Sequence, residues 1–267
     1  MNPLFQNINS VNVKDLILFI YMTIHQELNN PNQNLNIINL NNIPQDLYLF
    51  RKKYYVENNS IISQIFHYEH CNIITCNNCG FNKYNYQVDN NIEFSLEKII
   101  QYKQNSNQFD LSVITLNDCF EQYELPEIIN DSNQIYCSNC SANTDMFSYN
   151  KIYTCPEIFT IILNFENNFN VKFTFTQDIS LEKFVIDKTR NSNYDLIGIL
   201  VYHSLDINNG YFLAYCKSPV DGQWYLYHDD VVTQCNNNIE TEINSNCIPY
   251  ILFYQRKINE NNINNYI

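Results

Sequence analysis

Glycine is almost missing from this chain, at four residues in 267. Asparagine and isoleucine are over-represented instead, a bias that reads as codon usage more than as prion-like design. Positive charge is scarce too: 15 Lys and Arg face 28 Asp and Glu, for a net charge of -13 and a pI of about 4.7. That balance argues against a phosphate backbone as a direct partner, so no nucleic acid is expected. Long apolar runs are absent as well. Leu16 to Ile24 has signal-peptide length but is too short to span a bilayer. It lacks a basic flank, since Lys14 is matched by Asp15, and no small-residue cleavage site follows in His25-Gln26-Glu27. The expectation is a chain with no leader and no membrane partner.

Cysteine is the residue type in good supply, with ten copies. The chain is too long and too ordinary in core content for a secreted disulfide framework, and four of the ten lie in C-x-x-C pairs, which favour a metal. A reducing, cytoplasmic or nuclear compartment follows. The pairs are Cys76-Asn77-Asn78-Cys79, followed by Gly80, and Cys137-Ser138-Asn139-Cys140. Two residues between paired thiolates let both face one ion, and Gly80 supplies the positive φ such a turn needs. Cys76, Cys79, Cys137 and Cys140 are therefore the expected ligands of a structural Zn2+. Four thiolates leave no open position, so this zinc would hold structure and hydrolyse nothing. Cys71 with His67 and His70 has the wrong spacing for a second site. It reads as a buried thiol beside two surface imidazoles.

The remaining pattern is mixed helix and strand. Apolar residues recur at helical spacing from Asn12 or Val13 to Leu28, and Asn12 can cap the start. Residues 30 to 44 are an Asn-rich connection. Asp46 to Glu57 reads as a helix with aromatic residues on one face, and a short segment capped by Ser60 follows. Tyr84 to Leu96 alternates like strand, and Gln101 to Gln108 reads as a polar insertion. A helix begins at Leu116 and runs through Tyr123, placing Cys119 in a core. Ile158 to Phe165 is a buried strand, with Val171 to Thr176 as its partner. Pro249 to Arg256 is apolar on both faces and so central to a sheet.

The most informative stretch runs from Tyr194 to Asp230. Leu196 to Val201 is a strand, Asp206 to Gly210 a loop, and Tyr211 to Cys216 a second strand. Asp221-Gly222 turns the chain into a third strand around Trp224 to Tyr227. Tyr194, Leu196, His203, Gly210, Ala214, Tyr215, Trp224 and Asp229 fall on one frame. It resembles the last catalytic box of the ubiquitin-specific proteases, peptidases of the C19 class that cut ubiquitin from its conjugates. Other blocks follow in family order: the Asp15-Phe19…His25-Gln26-Glu27-Leu28 helix, the two knuckles, Leu116 to Tyr123, Pro156 to Phe165, and Tyr250 to Arg256. The resemblance covers residues 12 to 257.

It implies an α+β, papain-like fold in segments. Residues 1–66 would supply partial thumb helices and 67–155 fingers around the zinc. A β palm would occupy 156–257 and a disordered tail 258–267. His203, Gly210, Tyr215, Trp224 and Asp230 become candidates to line the channel for a ubiquitin tail, with Ser204 to Asn209 as its loop. The partner would be ubiquitin, a ubiquitin-like protein or a scaffold complex; the arginine-bearing tail of ubiquitin suits an acidic surface.

Two positions depart from the frame. Where the family carries its general-base histidine stands Tyr211, and where it carries the Asp or Asn that orients that base stands His228, next to Asp229. A phenol titrates near about 10 and is a poor proton acceptor at pH 7. The family's nucleophile lies in a box upstream of the first helix, and the eleven residues before that helix here hold no cysteine. Among the other thiols, Cys216 is at an odd offset from Tyr211 and so faces the opposite way. Cys155, Cys235 and Cys247 have no histidine at a suggestive spacing. The expectation is a fold without an intact triad, kept for binding. The alternative is an active cysteine-type deubiquitinase whose Cys box is missing from this chain.

Overall fold

A computed structural model describes residues 12–31, 43–106, 113–165, 171–204, 210–236, 238–243 and 247–258. The Asn-rich tail, most of the 30–44 connection and loop residues 205–209 lie outside the described residues. The chain divides into two units, 1–67 and 68–267.

In the first unit, α1 (Val13–Leu28) starts where the Asn12 side chain accepts from the Lys14 amide, as expected of a cap. Only Tyr21 of α1 is buried, against the Phe66 ring at 4.3 Å, while Ile20, Met22 and Leu28 are exposed. Pro44 opens α2 (Gln45–Glu57), whose buried face carries Leu47 and Arg51 and not the aromatics. Ser60 and Ser63 close a reciprocal capping box on α3 (Ile61–Ile65). His25 locks the end of α1 to this corner: Nδ1 lies 2.7 Å from Ser60 Oγ and Nε2 3.2 Å from Asn58 Oδ1.

The second unit runs β1 (Tyr68–Cys76), β2 (Asn82–Asp89), β3 (Ile92–Ser95), α4 (Leu96–Asn105), β4 (Val113–Thr115), α5 (Leu116–Tyr123), β5 (Glu127–Ile129), β6 (Ile135–Cys137), β7 (Ala142–Thr144) and β8 (Met146–Ile152). It continues with β9 (Ile158–Asn164), β10 (Lys172–Thr174), β11 (Asp178–Ser180), β12 (Asn193–Ser204), β13 (Gly210–Lys217), β14 (Trp224–His228), β15 (Val231–Gln234), α6 (Ile239–Glu242) and β16 (Cys247–Arg256). The architecture is α+β, as expected. One sheet is ordered β2-β1-β8-β5 and carries the knuckles at its far end; the larger is ordered β15-β14-β13-β12-β16-β9-β3. The terminal strand is central, between β12 and β9, as its two apolar faces require.

Four expectations change. The partner of β9 is not the 171–176 segment: β10 pairs in parallel with β4, while β9 lies between β16 and β3. Residues 101–105 belong to helix α4, which buries Leu96, Ile99 and Lys103. Tyr84 to Leu96 is two strands in two sheets, so β3, α4, β4 and α5 pack with the palm core although they lie within the fingers segment. His70 is no surface imidazole. It is buried, with Nε2 2.7 Å from Asp89 Oδ2, and His67 bonds the Tyr54 hydroxyl. Cys71 is buried as expected.

One apolar cluster fills the palm. Within it Phe94, Phe120, Phe159 and Tyr194 form a chain of ring contacts. A buried ion pair joins Lys103 to Asp118, whose Oδ2 also caps α5 through the Thr115 amide and hydroxyl. Lys103 Nζ donates to the Val113 carbonyl as well, so neither charge is left without compensation. No helix among the described residues is long and apolar enough to cross a membrane.

Candidate functional site

Two places carry chemistry. At the far end of the finger sheet, the β1–β2 and β6–β7 turns bring Cys76, Cys79, Cys137 and Cys140 together, all four sulfurs within 4.8 Å of one another. The Cys76–Cys140 and Cys79–Cys137 separations are 3.8 and 3.7 Å. Sulfurs placed about 2.3 Å from a zinc ion at tetrahedral angles would stand about 3.8 Å apart, so these two separations match a tetrahedral Zn2+ site. Gly80 has φ +70°, the positive value expected, and its amide donates to the Cys76 carbonyl. Ser141 occupies the matching place after the second pair with φ +54°, so the two knuckles repeat one backbone path. The positive φ at Ser141 is the part the sequence does not announce, because serine is not the residue that geometry prefers.

The Thr144 hydroxyl, 3.2 Å from Cys76 Sγ, helps lower that thiol to about 6, while proton sharing with Cys79 raises Cys140 to about 12. Thiols this close share protons until a cation replaces them. The four residues support a structural zinc with closed coordination.

The second place is the edge of the palm. The β12–β13 register sets His203 opposite Tyr211, with ring centroids 4.9 Å apart. Gly210, directly before it, is exposed but has no room for a side chain without a shift of its neighbours: an added Cβ would lie 2.5 Å from the His203 carbonyl and 2.4 Å from the Tyr202 ring. Tyr211 in turn stacks on His228 at the end of β14, with centroids 5.0 Å apart and ring planes 4° from parallel. His228 is 3.9 Å from the Asp229 carboxylate, and Asp229 takes a left-handed φ of +51° in the turn to β15. Asp229 and Asp230 are exposed.

Of the other channel candidates, Tyr215 and Trp224 are buried in the palm core. Burial pushes the Tyr215 phenol up to about 12, and the Trp224 indole N–H donates to Gln177 Oε1 at 3.3 Å. They shape the core beneath the edge. His203, Gly210 and Asp230 are the candidates with surface to offer.

One contact escaped the reading of spacings. His203 Nδ1 lies 3.2 Å from Cys247 Sγ, because β16 starts at Cys247 and pairs His203 with it across the ladder. The two residues are far apart in sequence, and only the register unites them. This thiol–imidazole pair lacks the mark of an activated nucleophile, since burial raises the Cys247 thiol above its ordinary range. Burial does the same to Cys119, Cys155 and Cys235, with Cys155 near 12. Cys216 is on the exposed face of β13, away from Tyr211.

A family model described as ubiquitin carboxyl-terminal hydrolase matches residues 1–254. Similar curated proteins include ubiquitin carboxyl-terminal hydrolase 2 of Bos taurus, 22% identical over 266 residues that cover 95% of this chain and 41% of that protein. Ubiquitin carboxyl-terminal hydrolase 12 of Saccharomyces cerevisiae is 29% identical over 162 residues, 56% of this chain and 12% of that one. Ubiquitin carboxyl-terminal hydrolase 2 of Gallus gallus is 21% identical over 265 residues, 95% of this chain and 70% of its own length. The chain thus spans less than half of the first two relatives.

Proposed function

Because this chain belongs to the ubiquitin carboxyl-terminal hydrolase family, we propose that it is a ubiquitin-specific-protease-like module that binds ubiquitin or a ubiquitin-like protein without cleaving it. One observation carries the reading: the stack of Tyr211 on His228, the two residues that the sequence resemblance sets where the family has its base and its orienter. A cysteine protease needs an imidazole to take the thiol proton and later return it. Here a phenol, a poor acceptor at neutral pH, lies flat against the His228 imidazole. Loss of a single triad member removes several orders of magnitude of rate. The substitution at both positions also speaks against an active deubiquitinase that merely takes its Cys box from elsewhere.

What favours binding is the rest of the scaffold. Both cysteine pairs and two large sheets are present among the described residues, and the net charge of -13 suits a partner with a basic tail. A scaffold complex is the other partner class that such a module could serve. Ten cysteines without a disulfide and a thiolate zinc site favour the cytoplasm or nucleus.

The test has two arms. Ubiquitin carrying a thiol-reactive group at its C-terminus should form no adduct with any cysteine of the purified chain, as read by mass spectrometry. Isotope-labelled ubiquitin titrated with the chain should show shifted amide resonances. A covalent adduct outside the knuckles would overturn the inactive reading. Unshifted resonances up to millimolar chain would overturn ubiquitin binding and point to a scaffold partner.

A further inference from the structure

The finger sheet ends on an open strand. β2 pairs with β1 along its whole length without a bulge, and it ends the sheet order β2-β1-β8-β5, with no strand among the described residues paired to its outer side. The Cys76 amide donates to the Phe81 carbonyl at the hairpin's start. Stepping along the ladder in twos, the odd residues of β2 turn their amides towards β1, while Asn82, Tyr84, Tyr86 and Val88 turn theirs outward. An uninterrupted row of outward donors and acceptors is a template for another strand unless something blocks it.

Here the guard residue has its complement on the same strand. Lys83, Asn85, Gln87 and Asp89 share one face of β2, and Tyr84, Tyr86 and Val88 share the other. Two copies laid antiparallel about Tyr86 set Lys83 opposite the second copy's Asp89 at both ends, Asn85 opposite Gln87, Tyr84 opposite Val88, and Tyr86 opposite itself. Every cross-strand pair is then of matching chemistry. Centring the pairing one residue earlier instead sets Lys83 opposite Gln87 and Asp89 opposite Phe81.

The aromatic face is already ordered: the Tyr84 and Tyr86 rings lie 11° from parallel with centroids 6.2 Å apart, and Tyr86 meets the Tyr153 ring edge-on. Lys83 is exposed and makes no ion pair among the described residues, and the Asp89 side chain is 55% exposed while holding His70. We infer that the outer edge of β2 is a self-association surface, on which a second copy of this chain pairs antiparallel about Tyr86 to join two finger sheets into one.

A strand edge buries less than a standard interface, so the dimer should dissociate in the range of roughly tens to hundreds of micromolar. Sedimentation velocity across that range should show a monomer–dimer equilibrium. Lys83→Glu and Asp89→Lys each set like charges against one another at both ends, and each alone should weaken the dimer about tenfold or more. Mixed in equal amounts they should dimerise again, since each then offers the charge that the other lacks. Thermal melting and zinc content verify folding. Should Asp89→Lys unfold through loss of His70, Lys83→Arg must keep the dimer that Lys83→Glu loses. A wild-type chain that stays monomeric to about millimolar overturns the inference and leaves the edge to an extended peptide of another protein. So does a dimer that neither charge change weakens.

Discussion

Tyr211 and His228 lie face to face, 5.0 Å between centroids and 4° between planes. At that centroid separation parallel rings are offset, the arrangement aromatic pairs favour. The contact does two things at once. On the proposed reading it fills the space in which a base and its orienter would share a hydrogen bond, and it fastens the start of β13 to the end of β14. Such a pair is worth about 0.5–1.5 kcal/mol beyond its buried area. Tyr211→Ala should therefore lower stability by about 1 kcal/mol or somewhat more in urea denaturation, whereas Tyr211→Phe should cost a few tenths. The ring protons of His228 should lose their upfield ring-current shift in the first variant and keep it in the second. An unchanged His228 spectrum in Tyr211→Ala would mean the rings are not stacked in solution.

The fit of four sulfurs to a tetrahedron predicts one zinc per chain by elemental analysis. Substitution by Co2+ should give the intense charge-transfer bands of a tetrahedral four-thiolate site. Cys137→Ser should lose the metal and, because the knuckles join β1–β2 to β6–β7, lower the melting temperature by several degrees. The palm, which has its own core, should keep its near-ultraviolet signal from Trp224. Full metal content in Cys137→Ser would show that these thiols are not the ligands.

How much of this could be read from the chain alone depends on how local each feature is. The Tyr194 to Asp230 hairpins, the helix from Val13 and both knuckles are short-range patterns, and all stand where the residues place them. The β10–β4 and β3–β9 pairings are parallel and join distant segments, so no turn residue marks them. The Cys247–His203 contact depends on a ladder register that sequence spacing does not encode. Lys103 and His70 look like surface residues by type. They are buried because Asp118 and Asp89 come to meet them.

Burial governs the reactivity of the cysteines that stand apart from the zinc. A raised thiol is protonated at neutral pH, so its thiolate fraction is smaller there and grows about tenfold per pH unit until the raised value is reached. Pulses of iodoacetamide on the zinc-loaded chain, followed by peptide mass spectrometry, should label Cys155 negligibly at pH 7, since its thiol titrates near 12. Cys247 should react more slowly than a free thiol at pH 7 and catch up only at alkaline pH, and His203→Ala should not slow it further. Rapid labelling of Cys247 at pH 7 that His203→Ala abolishes would reveal an activated pair and reopen the question of catalysis.

Gly210 gives the most direct access to the geometry of the palm edge. Its φ is not in the left-handed region, so the need for glycine is one of space alone. An alanine methyl would press on the His203 carbonyl, which is fixed in the β12 ladder, and on the Tyr202 ring, which could swing aside. The backbone contact cannot relax so cheaply, and overpacking of this kind costs about 1–3 kcal/mol. Gly210→Ala should therefore destabilise the chain by that amount and disturb the amide resonances of His203 and Tyr211. Relieving the ring clash with Tyr202→Ala should recover only part of the loss, because the carbonyl remains. Full recovery in the double variant would mean that the ring, and not the ladder, sets the limit, and that β12 can give way at the very place where the proposed channel begins.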